Sequence, residues 1–422
     1  MHFKIGFYTI APTVIGGGGR RVFRGMIKGW LEAGHSVTVI SREKYQDKSK
    51  GNIESEFIQL SASLISHDFD FVFCDTEYAL IDLFQDQQGV AFAKRYPLFA
   101  FVHDQIWRDH MKITGGQFGP LELDSNFKFT KNISRIHKKR LLYEVKNSVL
   151  SISIFKKLLR LLLPLAVINY YQELRAYKRY RTLAQFIRKC SGIFSLSIKA
   201  AEQSAKMYQV PLEKSRYAFG FIDDELLLLE KKTRHLRKNE RSFVCFSRLS
   251  PEKNIDYILE AFKAAYTINS DIKLTIIGRN DSEKTAAHTH YLRDIVSKIK
   301  GSIPVKIIEN PSEIELATVL GKSGAIICAN NCDFNLTILE FLYLGGRAIV
   351  PATYDLHKEI NDHPHVSSKN ISISDFSNEI LRFAKTPITF DKRFYESLKK
   401  YSYENYANEV LTHIETLMPN AK

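Results

Sequence analysis

Two cations, Arg248 and Lys253, flank the turn between a strand and a helix in the stretch Phe243-Val-Cys-Phe-Ser-Arg-Leu-Ser-Pro-Glu-Lys-Asn254. Phe243 to Phe246 is a short apolar run that predicts a buried strand. Ser250 and Pro251 predict a helix start: a hydroxyl to cap free N–H groups, then a residue that needs no N–H. Ile255, Ile258, Leu259 and Phe262 continue as one apolar helical face. Arg248 is therefore expected at the carboxyl end of a strand, and Lys253 in the first turn of the helix. A helix N-terminus is already positive, so two cations beside it fit an anion with several oxygens, such as a diphosphate. A solvated surface lysine is the plainer alternative for Lys253.

Other polar groups fall at comparable positions. Glu340 ends the stretch Cys332-Asp-Phe-Asn-Leu-Thr-Ile-Leu-Glu340, which is followed by Gly345-Gly346. One carboxylate can accept from two neighbouring hydroxyls, although Thr337 and Glu340 also have the spacing of a helix capping box. Gly16 to Gly19, then Arg20 and Arg21, follow the first strand; such glycines admit a phosphate or sugar close to the backbone, or simply make a flexible loop. His103 and Asp104 close a strand, at the edge where open α/β sheets place their ligands. Asp68-Phe69-Asp70 has the spacing of a metal-binding acidic pair but precedes its strand instead of following it. The five cysteines mostly lie in apolar runs and suit buried thiols in a reducing compartment; Cys328 and Cys332 have no companions to complete a zinc site.

The elements that must position these groups alternate along the chain. Strands are predicted at Lys4–Thr9, Ser36–Ser41, Phe69–Cys74, Leu98–Val102 and Gly192–Leu196. After residues 223–240, which read as a linker, further strands are predicted at Phe243–Phe246, Lys273–Ile277, Val305–Ile308, Ala325–Cys328 and Ala348–Val350. Helical patterns separate them, and this alternation predicts parallel, doubly wound sheets. Four parts follow: a first domain over 1–222, the linker, a second domain over 241–390, and a terminal segment over 391–422 whose residues from Tyr401 to Leu417 form an amphipathic helix.

With 422 residues, 45% apolar and 25% charged, the chain has the make-up of a globular protein large enough for two cores. Its N-terminus enters a strand directly, so no signal peptide is expected. The net charge of +14 is unevenly placed. Residues 127–189 hold 16 Lys and Arg against Glu144 and Glu173, and the remainder is neutral. Within this insert Ile152, Phe155, Leu159 and Leu162 share a helical face, with Lys156, Lys157 and Arg160 off it. Its longest apolar run is far short of the roughly 20 residues needed to span a bilayer. Tyrosines interleaved with bases follow, a pattern that fits a helix lying on an anionic membrane surface, with a solvated basic helix as the alternative. The charge would also suit RNA, but no RNA-binding module accompanies it.

Ser247-Arg-Leu-Ser-Pro-Glu-Lys253 resembles the donor-diphosphate motif of the retaining glycosyltransferases of family 4, which have two Rossmann-like domains facing a cleft (the GT-B fold). The resemblance covers nearly the whole chain outside the basic insert. It implies a nucleotide diphosphate sugar as donor, no metal and no other cofactor. Arg248, Lys253 and His103 become the catalytic candidates. Gly17, Gly18, Asp333, Phe334, Asn335, Leu336 and Glu340 become the donor-binding ones, and Arg20 lies on the acceptor side. Glu340 matches the family glutamate that accepts from the ribose hydroxyls. The family's first glutamate is replaced by Cys332, which leaves Asp333 or the neighbouring backbone to contact the sugar. The resemblance further implies a terminal helix that crosses back to the first domain. With the basic insert, it points to a lipid-linked or glycan acceptor in cell-envelope polysaccharide or lipopolysaccharide synthesis, on the cytoplasmic face of the membrane. A sugar epimerase or a transferase-derived scaffold would have the same fold; a phosphorylase would need a pyridoxal-phosphate lysine that is not identifiable.

Overall fold

The computed structural model describes residues 2–10, 18–42, 56–60, 67–102, 182–222, 236–247, 249, 253–278, 295, 297, 303–329, 336–352, 354, 358–370 and 372–418. It contains two fully parallel sheets. The first has seven strands in the order β3-β2-β1-β4-β5-β6-β7. These are β1 (Lys4–Tyr8), β2 (Ser36–Ser41), β3 (Glu56–Gln59), β4 (Phe71–Cys74), β5 (Leu98–Phe101), β6 (Gly192–Ser195) and β7 (Ser215–Tyr217). Helices α1 (Gly18–Glu32), α2 (Glu77–Leu83), α3 (Gln87–Arg95) and α4 (Ile198–Tyr208) connect them.

The second sheet has six strands in the order β10-β9-β8-β11-β12-β13. They are β8 (Asn239–Phe246), β9 (Lys273–Gly278), β10 (Val305–Glu309), β11 (Ser323–Ile327), β12 (Arg347–Pro351) and β13 (Val366–Lys369). Its longer helices among the described residues are α5 (Ile255–Ile268), α6 (Glu313–Lys322), α7 (Leu336–Tyr343) and α8 (Ile373–Lys385), followed by α9 (Lys392–Leu398) and α10 (Tyr403–Leu417). The predicted strands are all present, and β8 extends four residues upstream of its apolar run. In both sheets the order reverses beside the first strand: between β1 and β4, and between β8 and β11. Open α/β sheets bind ligands at such switch points, beyond the carboxyl ends of the strands.

The central strands are buried along their whole length and read as apolar runs instead of alternating, as with Phe71–Cys74, Leu98–Phe101 and Ser323–Ile327. The first core is rich in aromatic rings: Phe7 stacks on Phe73 at 6.1 Å between centroids, and Trp30 meets Phe73 edge-on at 5.7 Å. Asp68 and Asp70 lie at the amino end of β4, away from the ligand edge. There Asp70 accepts from the Lys4 backbone N–H at 2.6 Å and Asp68 pairs with the Lys4 side chain. Among the described residues no three His, Cys, Asp or Glu side chains gather as a metal site, and no helix is long and apolar enough to cross a membrane. Cys74, Cys190, Cys245 and Cys328 are buried thiols.

The terminal helix α10 packs on α1 of the first domain. Tyr406, Ala407, Val410, Leu411 and Ile414 make its buried face, and Ser402 caps it by accepting from Asn405 N–H at 3.2 Å. The approach is close because α1 carries glycine where the helices touch. A Cβ on Gly29 would lie 2.5 Å from the Ala407 Cβ, and one on Gly25 would lie 2.2 Å from the Phe221 ring.

Candidate active site

The second switch point is built from the turns that follow β8 and β11. β8 and β11 are neighbours, with Val244 opposite Ile326, so their carboxyl ends lie side by side. Asn254 ties one to the other: its Nδ2 donates to the Ala329 carbonyl at 2.8 Å. To do so Asn254 takes a left-handed conformation (φ 50°) at the N-cap of α5 and makes no side-chain capping bond. Ser250 and Pro251, the expected helix start, lie outside the described residues. The helix begins at Ile255, and Lys253 stands in the turn immediately before it instead of in its first turn.

Lys253 is half-buried. Its charge acts on the Cys245 thiol near the end of β8, which burial pushes up to about 12 with the neighbouring Cys328 adding to the rise; Ser247 and Lys253 oppose it. The lysine is thus near the carboxyl edge of the sheet as well as the start of α5, where a cation and helix N–H groups can share an anion. Gly278 at the end of β9 makes room for the first turn: a Cβ there would come within 2.1 Å of the Ser247 carbonyl.

Leu336 opens α7 and is buried, and Glu340 follows one turn later at 3% exposure. Thr337 is the second residue of this helix, so its spacing from Glu340 is not a capping box. The helix stops at the glycine pair. Gly345 takes φ 75°, the Gly345 N–H donates to the Leu342 carbonyl at 2.9 Å, and the Gly346 N–H to the Phe341 carbonyl at 3.1 Å. This Schellman arrangement needs glycine at the left-handed position. Gly346 also lies against the Phe341 ring, where any Cβ would clash.

Glu340 pairs with Arg21 of the first domain, whose Nη2 donates to its Oε1. Arg21 stands on α1, next to Gly18 and Arg20, which fall in the first turn of that helix. The glycine run is therefore helical from Gly18 on. At the first switch point, Thr9 after β1 donates to Asp75 after β4 at 2.6 Å, and both are buried. Thr76 donates to the same carboxylate at 3.1 Å and caps α2 through the Ala79 N–H. Sequence reasoning missed Arg21, Asp75 and Asn254. Asp75 had a usable signal, since it directly follows a predicted strand. Arg248, His103, Gly17, Asp333, Phe334, Asn335, Lys156, Lys157 and Arg160 lie outside the described residues.

Two parallel, doubly wound sheets, each with its own switch point, are the architecture of the GT-B fold. Residues 229–405 match the sequence profile of glycosyl transferases group 1. No curated protein matches the chain by sequence. Solved structures match along its length: HepE of Anabaena, determined with UDP and glucose, at 13% identity, 99% of each chain and TM-score 0.56. Sucrose-phosphate synthase of Thermosynechococcus elongatus gives 12% identity over 99% of this chain and 100% of that one, with TM-score 0.64. The α,α-trehalose 6-phosphate synthase of Burkholderia multivorans gives 10%, 100% of each chain and 0.60. At these identities the structures establish the fold. The profile match spans less than half of the chain, so the similarity to glycosyl transferases group 1 is a property of that segment.

Proposed function

We propose that the protein transfers a hexose from a nucleotide diphosphate donor to a hydroxyl of a glycan or lipid-linked acceptor in cell-envelope synthesis, with retention at the anomeric carbon. The observation that carries this reading is the placing of Lys253 and the buried Glu340 on the turn and helix that follow two adjacent strands, β8 and β11, within the segment that matches the family profile. Lys253 and Arg248 stabilise the charge that gathers on the diphosphate as it leaves, so the reaction needs no metal. Glu340 accepts from the ribose hydroxyls. Asp333, with Phe334, Asn335 and Leu336, carries the sugar contacts that Cys332 cannot make. The acceptor approaches from the first domain, beside Gly17, Gly18, Arg20 and His103. The basic insert over 127–189 holds that domain on the inner face of an anionic membrane.

Thermal-shift screening against UDP-, GDP- and ADP-sugars tests the donor. A ligand at a hundred times its dissociation constant adds about 2.7 kcal/mol of stability. NMR of the product then reads the anomeric configuration. Binding of a nucleotide diphosphate without transfer to any acceptor preparation would mean a scaffold, and conversion of the sugar nucleotide without acceptor would mean an epimerase.

A further inference from the structure

The carboxylate of Glu340 is buried in the second domain, and its ion pair is to Arg21 of the first. Arg21 reaches it from a helix fixed from the other end. Gly25 and Gly29 follow Arg21 at intervals of four, which keeps all three on one side of α1. Gly25 abuts Phe221, and Gly29 abuts Ala407 of α10. Trp30 donates to the Ala407 carbonyl at 3.0 Å, and Tyr403 donates to Glu32 at 2.8 Å. The stripe that docks the terminal helix thus also aims Arg21 across the cleft.

A carboxylate at this depth needs a counter-charge to stay ionised. Ionised, it only accepts, with about four lone-pair sites, enough for one guanidinium and two hydroxyls together. Once protonated it gives up part of that capacity. The planar guanidinium suits the task because its donors are held in a rigid fork.

Resting on the assignment of Glu340 to the ribose, we propose that Arg21 is a positioning residue for the donor: it holds Glu340 ionised and oriented from the opposite domain, so that ribose recognition in the second domain depends on a side chain of the first. Arg21 acts through Glu340 and does not grip the diphosphate.

The test uses the full chain and calorimetric titration with UDP, GDP and ADP. The tightest is then compared with its 2′-deoxy counterpart. Wild type binds the ribonucleotide better than the deoxynucleotide. Arg21→Ala weakens the ribonucleotide tenfold or more, about 1.4 kcal/mol, and removes most of that preference. Arg21→Lys restores much of it, and Arg21→Ala adds nothing further in a Glu340→Gln background. Equal losses for both nucleotides in Arg21→Ala would mean that Arg21 contacts the diphosphate, and would overturn the inference. Unchanged or tighter binding would overturn it too, the latter showing Arg21 to be a competitor for the carboxylate. A Glu340→Gln variant that keeps the ribose preference would instead sink the ribose assignment, and no binding of any nucleotide by wild type would sink the functional reading itself. Melting curves check that each variant folds; if Arg21→Ala does not, Arg21→Gln replaces it.

Discussion

Trp30 on α1 donates its indole N–H to the carbonyl of Ala407 on α10, 3.0 Å away, although 377 residues separate them. That bond requires the helices to pass closely, and Gly29 permits it. A methyl group at Gly29 would meet the Ala407 Cβ at 2.5 Å and the Tyr403 carbonyl at 3.1 Å, so the helices must part. Gly29→Ala is expected to destabilise the protein by about 1–3 kcal/mol through overpacking, despite the higher helix propensity of alanine. Combining it with Ala407→Gly should recover part of the loss, read as the denaturation midpoint. Additive losses in the double variant would mean that this contact does not set the approach.

Lys253 stands before α5 with its charge near the end of β8. Lys253→Ala and Arg248→Ala should each lower turnover on the order of a hundredfold by removing charge stabilisation from the leaving diphosphate. Melting temperature should hardly move for Lys253→Ala, because the side chain is only half-buried. Steady-state kinetics on the donor found by screening gives the answer, and wild-type turnover in both variants would refute the diphosphate assignment.

Burial pushes the Glu409 carboxyl on α10 from the ordinary 4.5 up to about 7. Burial raises the Tyr401 and Tyr406 phenols, and the charge of Glu409 adds to both, in Tyr401 behind that of Glu359. Between those two values the folded protein keeps a proton that the unfolded chain releases. The contribution of Glu409 to stability is therefore fully present below about pH 4.5 and is lost as pH rises through 7. Glu409→Gln should melt like wild type at pH 4. At pH 8 it should be more stable, by on the order of 2 kcal/mol. Parallel stability curves for the two proteins from pH 4 to 8 would contradict this.

Much of the fold is legible in the sequence because buried parallel strands write themselves as apolar runs. Those at Lys4, Ser36, Leu98, Gly192 and Lys273 begin where expected. β3, β7 and β13 escaped, since Glu56-Phe-Ile-Gln59, Ser215-Arg-Tyr217 and Val366-Ser-Ser-Lys369 offer hardly any apolar run and form by pairing along an existing edge. Local geometry was legible where the signal is local, as with Lys253 near a helix start. It was illegible where a partner comes from afar. Thr337 and Glu340 have a capping-box spacing, and only the fold brings Arg21 to that carboxylate. Likewise, no local signal shows that Asn254, at the N-cap of α5, reaches the Ala329 carbonyl.

The basic insert over residues 127–189 holds the whole net charge of +14. Near an anionic surface each Lys or Arg contributes about 1 kcal/mol, so a few well-placed ones give appreciable attraction. The apolar face formed by Ile152, Phe155, Leu159 and Leu162 would add a component that salt does not screen. Flotation with vesicles should show binding that requires anionic lipid, weakens in high salt and drops when Lys156, Lys157 and Arg160 are all replaced by glutamate. Nucleotide binding should survive those changes, because Lys253 and Glu340 belong to the other domain. Equal binding to neutral and anionic vesicles would leave the charge without this role, and so would full binding by the triple variant.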